Sequence, residues 1–373
     1  MKTIRWFLAL MALLLAVFAI APRTAANRPL WPGSPYTRLD RAEAVWRGLH
    51  FIYASAQNPA NFASYGSDYL WCLRGVWRTS ADPELRRAAL RMGRERAREW
   101  RRLNPRVPPS ATADDIYSLV SGSYAADLFG IPGSPAKEDL RRAAARFRPE
   151  EFLDFDPARE SAPADIPEPC RRCESENARG ARVCRKCGHL LHMKSRYEVM
   201  CDALVETYTG DRYGVRLGGS YPDVAQWMPG LRPYRGRNGG KNPDWEMSVY
   251  AVTHLVYTLN DYGLYHLEPA WLPAEFQFLQ ANFNETIAIR DAETLGEFID
   301  TLKSFGLTDR NRLIRTGVEY LLSRQNADGS WGDPAATDVY DRYHSTWTAI
   351  DGLREYAWHG ERVSFPEALR RLR

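Results

Sequence analysis

The chain has 373 residues, of which 45% are hydrophobic and 26% are charged, and its formal net charge is +4. This composition is typical of a globular protein and excludes a disordered chain or one with many membrane spans. So small a net charge on a chain of this length does not indicate a polyanionic partner.

The first 26 residues have the pattern of a secretory signal. Lys2 and Arg5 precede an apolar run over residues 6–21, and Thr24 and Ala26 suit the −3 and −1 positions of a cleavage site. The alternative is an uncleaved membrane anchor, although the run is shorter than a relaxed transmembrane helix of about 20 residues. We therefore expect residues 1–26 to be a signal peptide or an N-terminal anchor. The protein would then be exported, to the periplasm or the outside, or held at a membrane.

Residues 38–148 are predicted to form successive amphipathic helices. Apolar residues from Ala42 to Ile52 recur at three- and four-residue spacing, which predicts a first helix. A loop is expected over residues 57–66, with Ser67 capping the second helix. A third helix has one arginine-rich face, which we interpret as solvated and not as a nucleic-acid site. That face consists of Arg87, Arg91, Arg94, Arg98 and Arg102.

Four cysteines follow a segment rich in proline and acidic residues. Residues 149–169 lack periodicity and are predicted to be a linker. Residues 170–192 then contain two CxxC pairs ten residues apart, formed by Cys170, Cys173, Cys184 and Cys187. This spacing is typical of a four-cysteine zinc ribbon, in which each pair turns both sulfurs toward one structural zinc ion. The alternatives are disulfides, which an oxidising compartment favours, or a redox-active CxxC. The basic residues around the knuckles are expected to offset the charge of the thiolates, so we predict no nucleic-acid partner.

Helical patterns resume over residues 196–373 as pairs of helices joined by polar loops. The paired unit is about fifty residues long, which is typical of an array of helical hairpins. The second helix of each pair begins with carboxylates. At these helix starts lie Asp244, Glu246, Asp291, Glu293, Asp341 and His344. They are candidates for one shared site, if the helix starts gather at one end of the array. A mid-helix histidine, His254, is interpreted as a core or cavity-wall residue.

The segment "GVEYLLSRQNADGSWGDP" resembles the QW repeat of the terpene cyclase and protein prenyltransferase β-subunit superfamily. The matching residues are Gly317, Tyr320 or Leu321, Gln325, Gly329 and Trp331. The resemblance implies an all-α fold, an α/α toroid of helical hairpins in two concentric rings around a central cavity. The zinc ribbon would then be a small insertion between hairpins 38–148 and hairpins 196–373.

The same resemblance suggests which residues carry chemistry. Tyr343-His344-Ser345 is similar to the "YHT"-like element that supplies a zinc-binding histidine in prenyltransferases. The Asp-x-Cys partner of that family is replaced by Asp291-Ala292-Glu293, and the Asp-rich DxDD motif of cyclases is missing. We therefore take His344, Asp341, Asp291 and Glu293 as candidate catalytic residues. Oxygen ligands with one imidazole can also hold a second divalent metal at this cavity mouth.

Three functions are compatible with these patterns. The first is binding or transformation of a hydrophobic, isoprenoid-like small molecule in the central cavity. The second is a non-catalytic scaffold of the cell envelope, with a protein partner held through the zinc ribbon. The third is a carbohydrate-active α/α barrel with two opposed carboxylates. A cavity with converging acids favours an enzyme, whereas a cavity filled by side chains favours the scaffold.

Overall fold

The structure, a computed structural model, describes residues 27–160 and 164–372. Its described part is predominantly α-helical, as predicted, with one two-stranded sheet. The first helices are α1 (Arg38–Gln57), α2 (Pro59–Thr79), α3 (Pro83–Leu103), α4 (Ala113–Leu128), α5 (Lys137–Ala144) and α6 (Pro149–Leu153). After strands β1 (Ile166–Pro167) and β2 (Met193–Lys194) come α7 (Arg196–Tyr213), α8 (Tyr221–Ala225), α9 (Trp245–Leu259), α10 (Pro273–Ala288), α11 (Ala292–Ser304), α12 (Arg312–Arg324), α13 (Val339–Leu353) and α14 (Pro366–Leu372).

The predicted signal or anchor, residues 1–26, lies outside the described residues. Within residues 27–160 and 164–372, no helix combines the length and the apolar character needed to cross a membrane.

The second helix starts earlier than the sequence predicted. Asn58 is its N-cap, and the Asn58 side chain accepts hydrogen bonds from the backbone N–H groups of Ala60 (2.9 Å) and Asn61 (3.3 Å). Pro59 suits the first helical position, because the N–H that it lacks would have no helical partner there. The expected loop over 57–66 is therefore wrong. Only Tyr65, with φ −127° and ψ 22°, departs from helical geometry, and Ser67 lies inside the helix.

Six of the helices contact one another in sequence order. Helix α2 packs against α4, α4 against α7, α7 against α9, α9 against α11 and α11 against α13, while α13 also contacts α2. Three other helices each contact two of these six: α1 contacts α13 and α2, α3 contacts α2 and α4, and α12 contacts α11 and α13. The arginine-rich face of α3 is exposed to solvent, as predicted.

Glycines set the close approach of α11 and α13. A Cβ atom on Gly296 would lie 2.5 Å from the carbonyl carbon and oxygen of Thr348, and one on Gly352 would lie 3.2 Å from the Gly296 Cα. The two backbones are therefore in direct contact, and any larger side chain at position 296 would push them apart. Lys303 joins the same helices farther along, where its Nζ donates to the carbonyl oxygens of Gly352 (2.6 Å) and Arg354 (2.9 Å).

The QW-like segment connects α12 and α13 to α1. Trp331 is fully buried, its Nε1 donates to the Leu321 carbonyl of α12 (2.8 Å), and its backbone N–H donates to Thr346 Oγ1 of α13 (3.0 Å). Gln325 Nε2 donates to the Ala44 carbonyl of α1 at 2.8 Å. This contact lies within α1, because the loop runs across that helix.

The segment predicted as a linker is partly folded onto the main core. Residues 149–153 form α6, and Phe152, Leu153 and Phe155 are buried in that core. Their apolar side chains explain the difference from the prediction, since an acid- and proline-rich composition hides a short hydrophobic cluster. Residues 161–163 of the predicted linker lie outside the described residues.

Candidate functional site

The four predicted cysteines come together in one cluster. Their sulfur atoms all lie within 4.8 Å of one another, with Cys170 Sγ 3.5 Å from Cys187 Sγ and Cys173 Sγ 3.7 Å from Cys184 Sγ. None of the four is joined in a disulfide. A tetrahedral site with Zn–S bonds of about 2.3 Å has sulfur–sulfur edges of about 3.8 Å, so this set could bind one such ion. The spacing is consistent with structural zinc.

The Ser175 hydroxyl favours the thiolate form of two of these cysteines, Cys173 and Cys184, whereas the pKa of Cys187 is raised to about 12. The Ser175 hydroxyl lies 3.1 Å from Cys173 Sγ and 3.2 Å from Cys184 Sγ, and its hydrogen bond lowers the pKa of Cys184 to about 5. The residue after each CxxC pair, Glu174 or Gly188, has a positive φ (55° and 72°), which turns the chain back toward the sulfurs.

The cysteine module has its own small core. Cys170, Cys184 and Leu191 are buried together, apart from the main hydrophobic cluster. At its base β1 pairs antiparallel with β2, and Lys194 Nζ reaches Asp154 (2.8 Å) and Asp202 (2.7 Å). A core of this size cannot stabilise a fold alone, so a bound metal ion would supply much of the module's folding free energy.

Of the four residues predicted to be catalytic, the structure brings two, Glu293 and His344, into contact, whereas the carboxyl groups of Asp291 and Asp341 take no part in that contact. Glu293, in the first turn of α11, and His344, in the second turn of α13, meet with His344 Nδ1 3.0 Å from Glu293 Oε1. Asp291 caps α11 by accepting from the Glu293 backbone N–H at 3.0 Å and from the Thr294 hydroxyl. Asp341 is exposed in the first turn of α13. In the described part of the chain, only the four cysteines form a group of three or more ligands close enough for one ion.

A small cavity of about 60 Å³ lies between α2, α9, α11 and α13, and His344 is part of its wall. The other polar lining residues are Arg74, His254, Glu297, Asp300, Asp351 and Arg354, and aromatic rings complete it. Sequence reasoning missed these acids. A signal was present, since Glu293, Glu297 and Asp300 follow one face of α11 at spacings of four and three residues.

The two histidines of this cavity are in opposite protonation states at neutral pH. Burial lowers the pKa of His254 to about 4, and the charge on His344 acts in the same direction. For His344 burial also opposes the charge, but the Glu293 carboxylate outweighs it and raises the pKa to about 9. His254 Nδ1 lies 2.9 Å from the Tyr250 carbonyl oxygen, which can only accept. The proton of neutral His254 is therefore on Nδ1, and Nε2 keeps its lone pair.

Two glutamates one turn apart on α11 also differ in their protonation state at neutral pH. Burial raises the pKa of Glu297 to about 8, and its Oε2 accepts from Thr253 Oγ1 at 2.7 Å. Burial acts in the same direction on Glu293, but the positive charge of His344 holds its pKa below the usual range. The Tyr250 hydroxyl adds a hydrogen bond to Glu293 Oε1 at 2.8 Å. At neutral pH the site therefore holds a protonated and an ionised carboxyl group side by side.

Asp300 extends this group toward α13. It is buried, its Oδ1 has no hydrogen-bond partner among the described residues, and burial together with the Asp351 carboxylate raises its pKa to about 7. Arg354 Nε donates to Asp351 Oδ1 at 2.6 Å, and its guanidinium stacks 3.9 Å from the centre of the Tyr356 ring. Titratable groups whose surroundings separate their pKa values can serve as the acid and the base of one reaction.

Comparison of the chain with protein-family models, with curated proteins and with solved structures found no match.

Proposed function

We propose that the helices form an α/α toroid, with α2, α4, α7, α9, α11 and α13 as its inner ring. The support is the order of their contacts, because each of the six packs against the next and α13 returns to α2. In this arrangement the cavity beside His344 is the centre of the toroid. Its walls come from four of the six proposed inner helices, α2, α9, α11 and α13.

We propose that this central cavity is the active site of a hydrolase. The observation that carries the proposal is that His254 and Glu297 both line this cavity. His254 is neutral with a free lone pair on Nε2, and the carboxyl group of Glu297 is protonated. An acceptor and a donor of protons are the two groups that general acid–base hydrolysis needs. His254 takes a proton from water as the water oxygen bonds to the electrophilic carbon. Glu297 gives its proton to the leaving oxygen as the scissile bond breaks.

Other residues position these two groups. The ion pair between Glu293 and His344 fixes one charge of each sign beside the cavity. Tyr250 connects the two parts, since its hydroxyl binds Glu293 and its carbonyl orients the His254 ring.

The size of the cavity bears on the substrate. An apolar cavity of about 150 Å³ is filled by one benzene molecule. The 60 Å³ here suits one or two waters and the reacting group, not an isoprenoid chain. The ionisable groups in its wall favour a polar, hydroxylated substrate such as a sugar, placed against the lining rings of Trp71, Tyr257 and Trp347. A sugar ring is larger than benzene, so its entry also requires those rings to move. The isoprenoid-like ligand remains a proposal that requires those rings to move.

An assay on the full chain tests this function. We expect wild-type protein to hydrolyse at least one of a panel of 4-nitrophenyl glycosides and esters, and Glu297→Gln or His254→Gln to lower the rate about 100-fold or more. Arg98→Glu, on the exposed face of α3, is the matched control and should leave the rate unchanged. No hydrolysis across the panel, or equal rates in all variants, would argue against a hydrolase.

A second candidate function is that of a scaffold protein in the cell envelope. The predicted N-terminal signal or anchor would direct the chain there. The observation that favours it is an apolar tip on the cysteine module, where Val183 (52% exposed) and Leu190 (72% exposed) face each other in a β-bridge. Exposed apolar pairs of this kind mark protein contacts more often than isolated residues do. Val183→Ser with Leu190→Ser should release a partner that co-purifies from host membranes while metal content stays the same. A partner retained by this variant would exclude the tip.

A further inference from the structure

A groove of about 670 Å³ lies apart from the interior of the central cavity, between α1 and the chain that follows α13. Five segments form it: residues 30–31, the first half of α1, residues 80–85, residues 308–310 and residues 353–355. Its volume is within the range of sites that hold small organic ligands, about 300–1,000 Å³. The central cavity is less than a tenth of this size.

The floor of the groove contains buried polar atoms that lack a partner. Ser80 is 1% exposed and Arg354 is 4% exposed, and neither Ser80 Oγ nor Arg354 Nη1 has a hydrogen-bond partner among the described residues. The floor is held in place by backbone hydrogen bonds from Ala81 to the Glu355 carbonyl (2.8 Å) and from Ala357 to the Thr79 carbonyl (2.7 Å). A buried guanidinium N–H without an acceptor is costly. Both atoms have almost no surface open to the groove, so the donors that a ligand meets first are the guanidinium groups at its rim.

The charge of the groove selects an anion. Its lining holds four arginines and three acids, and each acid is already engaged. Asp82 caps α3 by accepting from the Glu84 N–H at 2.8 Å, while Asp309 and Glu355 lie 2.9 Å and 2.7 Å from the Arg41 guanidinium. The side chains of Arg38 and Arg310 make no ion pair within the described residues and remain available at the rim.

The walls of the groove are aromatic and aliphatic. Trp31 and Trp46 line it together with Val45, Leu85 and Leu353, and Trp31 is oriented by a hydrogen bond from its Nε1 to Glu319 Oε1 at 2.8 Å. We propose that the groove binds a small amphipathic anion, with its carboxylate or similar acid group on the rim arginines Arg38 and Arg310 and its apolar body between the tryptophans. This site is independent of the proposed hydrolase, except that Arg354 lines both cavities.

Fluorescence titration of the full chain with 1-anilinonaphthalene-8-sulfonate, an aromatic anion, tests the proposal. We expect one saturable site, competition by decanoate and none by the neutral decanol at equal concentration. Ala42→Trp places a large ring on an exposed groove position and should weaken binding at least tenfold. Arg38→Glu should weaken it several-fold, whereas Arg98→Glu, outside the groove, should leave it unchanged.

Each outcome decides the assignment. Absence of saturable binding, or equal affinity in wild type and Ala42→Trp, would overturn the groove as a site. Competition by decanol as strong as that by decanoate would overturn its preference for an anion. Glu297→Gln should bind the probe as wild type does, so loss of hydrolysis and loss of groove binding are distinguishable.

Discussion

His344 Nδ1 lies 3.0 Å from Glu293 Oε1, and this pair joins α13 to α11 beside the central cavity. The ring of His344 also stacks on Tyr340, with centroids 5.0 Å apart and an angle of 11°. The interaction explains why one histidine of the cavity is charged at neutral pH while the other, His254, is not.

The pH dependence of stability should reveal the buried Glu297. Its pKa is raised from 4.5 to about 8 on folding, so the unfolded chain loses this proton first and the stability that Glu297 contributes falls as pH rises from 4.5 to 8. Glu297→Gln should reduce the decline by about 1.4 kcal/mol per pH unit between pH 5 and 6.5. His344 adds no slope there, because its stabilisation is complete below 6.5 and is lost only as pH rises toward 9. His254 adds a slope of opposite sign, because its pKa falls to about 4 on folding, but that slope is common to wild type and Glu297→Gln and cancels in the comparison. Urea unfolding at several pH values measures the slope, with the exposed Glu43→Gln as control. Equal slopes in wild type and Glu297→Gln would contradict a buried, protonated Glu297.

The contact between α11 and α13 predicts opposite effects of alanine at two helical glycines. Gly296→Ala places its Cβ against the Thr348 backbone and should destabilise the protein by about 1–3 kcal/mol. Gly75→Ala, in α2, meets no atom within 4 Å and should stabilise it by about 0.5–1 kcal/mol. Thermal or urea unfolding of both variants provides the comparison. A Gly296→Ala protein as stable as Gly75→Ala would show that the two helices are not in backbone contact.

The QW-like segment should contribute to stability through Trp331 first and Gln325 second. Trp331→Ala removes a fully buried ring and should cost about 3–5 kcal/mol. Trp331→Phe keeps most of the volume but leaves the Leu321 carbonyl without its donor, and should cost less, about 1–3 kcal/mol. Gln325→Ala loses the bond to the Ala44 carbonyl, with an expected cost of about 1 kcal/mol. A cost for Gln325→Ala as large as that for Trp331→Ala would contradict this order.

The cysteine cluster should hold about one zinc ion per chain, since its four thiols offer one tetrahedral set. Elemental analysis of Cys184→Ser should show loss of the metal, with the far-UV circular dichroism of the helices largely unchanged, because the module has a separate core. Cys72→Ala, in α2 and outside the cluster, is the control and should keep its metal. Disulfides at these cysteines in non-reducing mass spectrometry would contradict a metal site.

The sequence predicted the helical class and the cysteine cluster, because each depends on local spacing. It misplaced the start of α2, since Asn58-Pro59 can begin a helix as readily as a turn. Glu293 and His344 were identified because they lie at helix starts and because those helix starts resemble elements of the prenyltransferase superfamily. The structure places those two residues together, and their catalytic role stays a prediction.

Glu297, Asp300 and Arg354 escaped prediction for a physical reason. A charged residue in a helix is ordinarily exposed, and nothing in the local sequence shows that α11 is buried on nearly every side. The groove could not be predicted either, because five segments far apart in the chain form its walls. Both features depend on tertiary packing, which spacing rules do not describe.

The most direct test of the central cavity is an NMR titration of the histidine side chains in the full chain, assigned with His254→Gln and His344→Gln. We expect His344 to titrate near pH 9, and His254 to stay neutral as the Nδ1–H tautomer down to about pH 4. Glu293→Gln should move the His344 titration to lower pH. Titration of both histidines near their ordinary value of 6.5 would contradict the proposed pair of opposite protonation states, and with it the acid–base site.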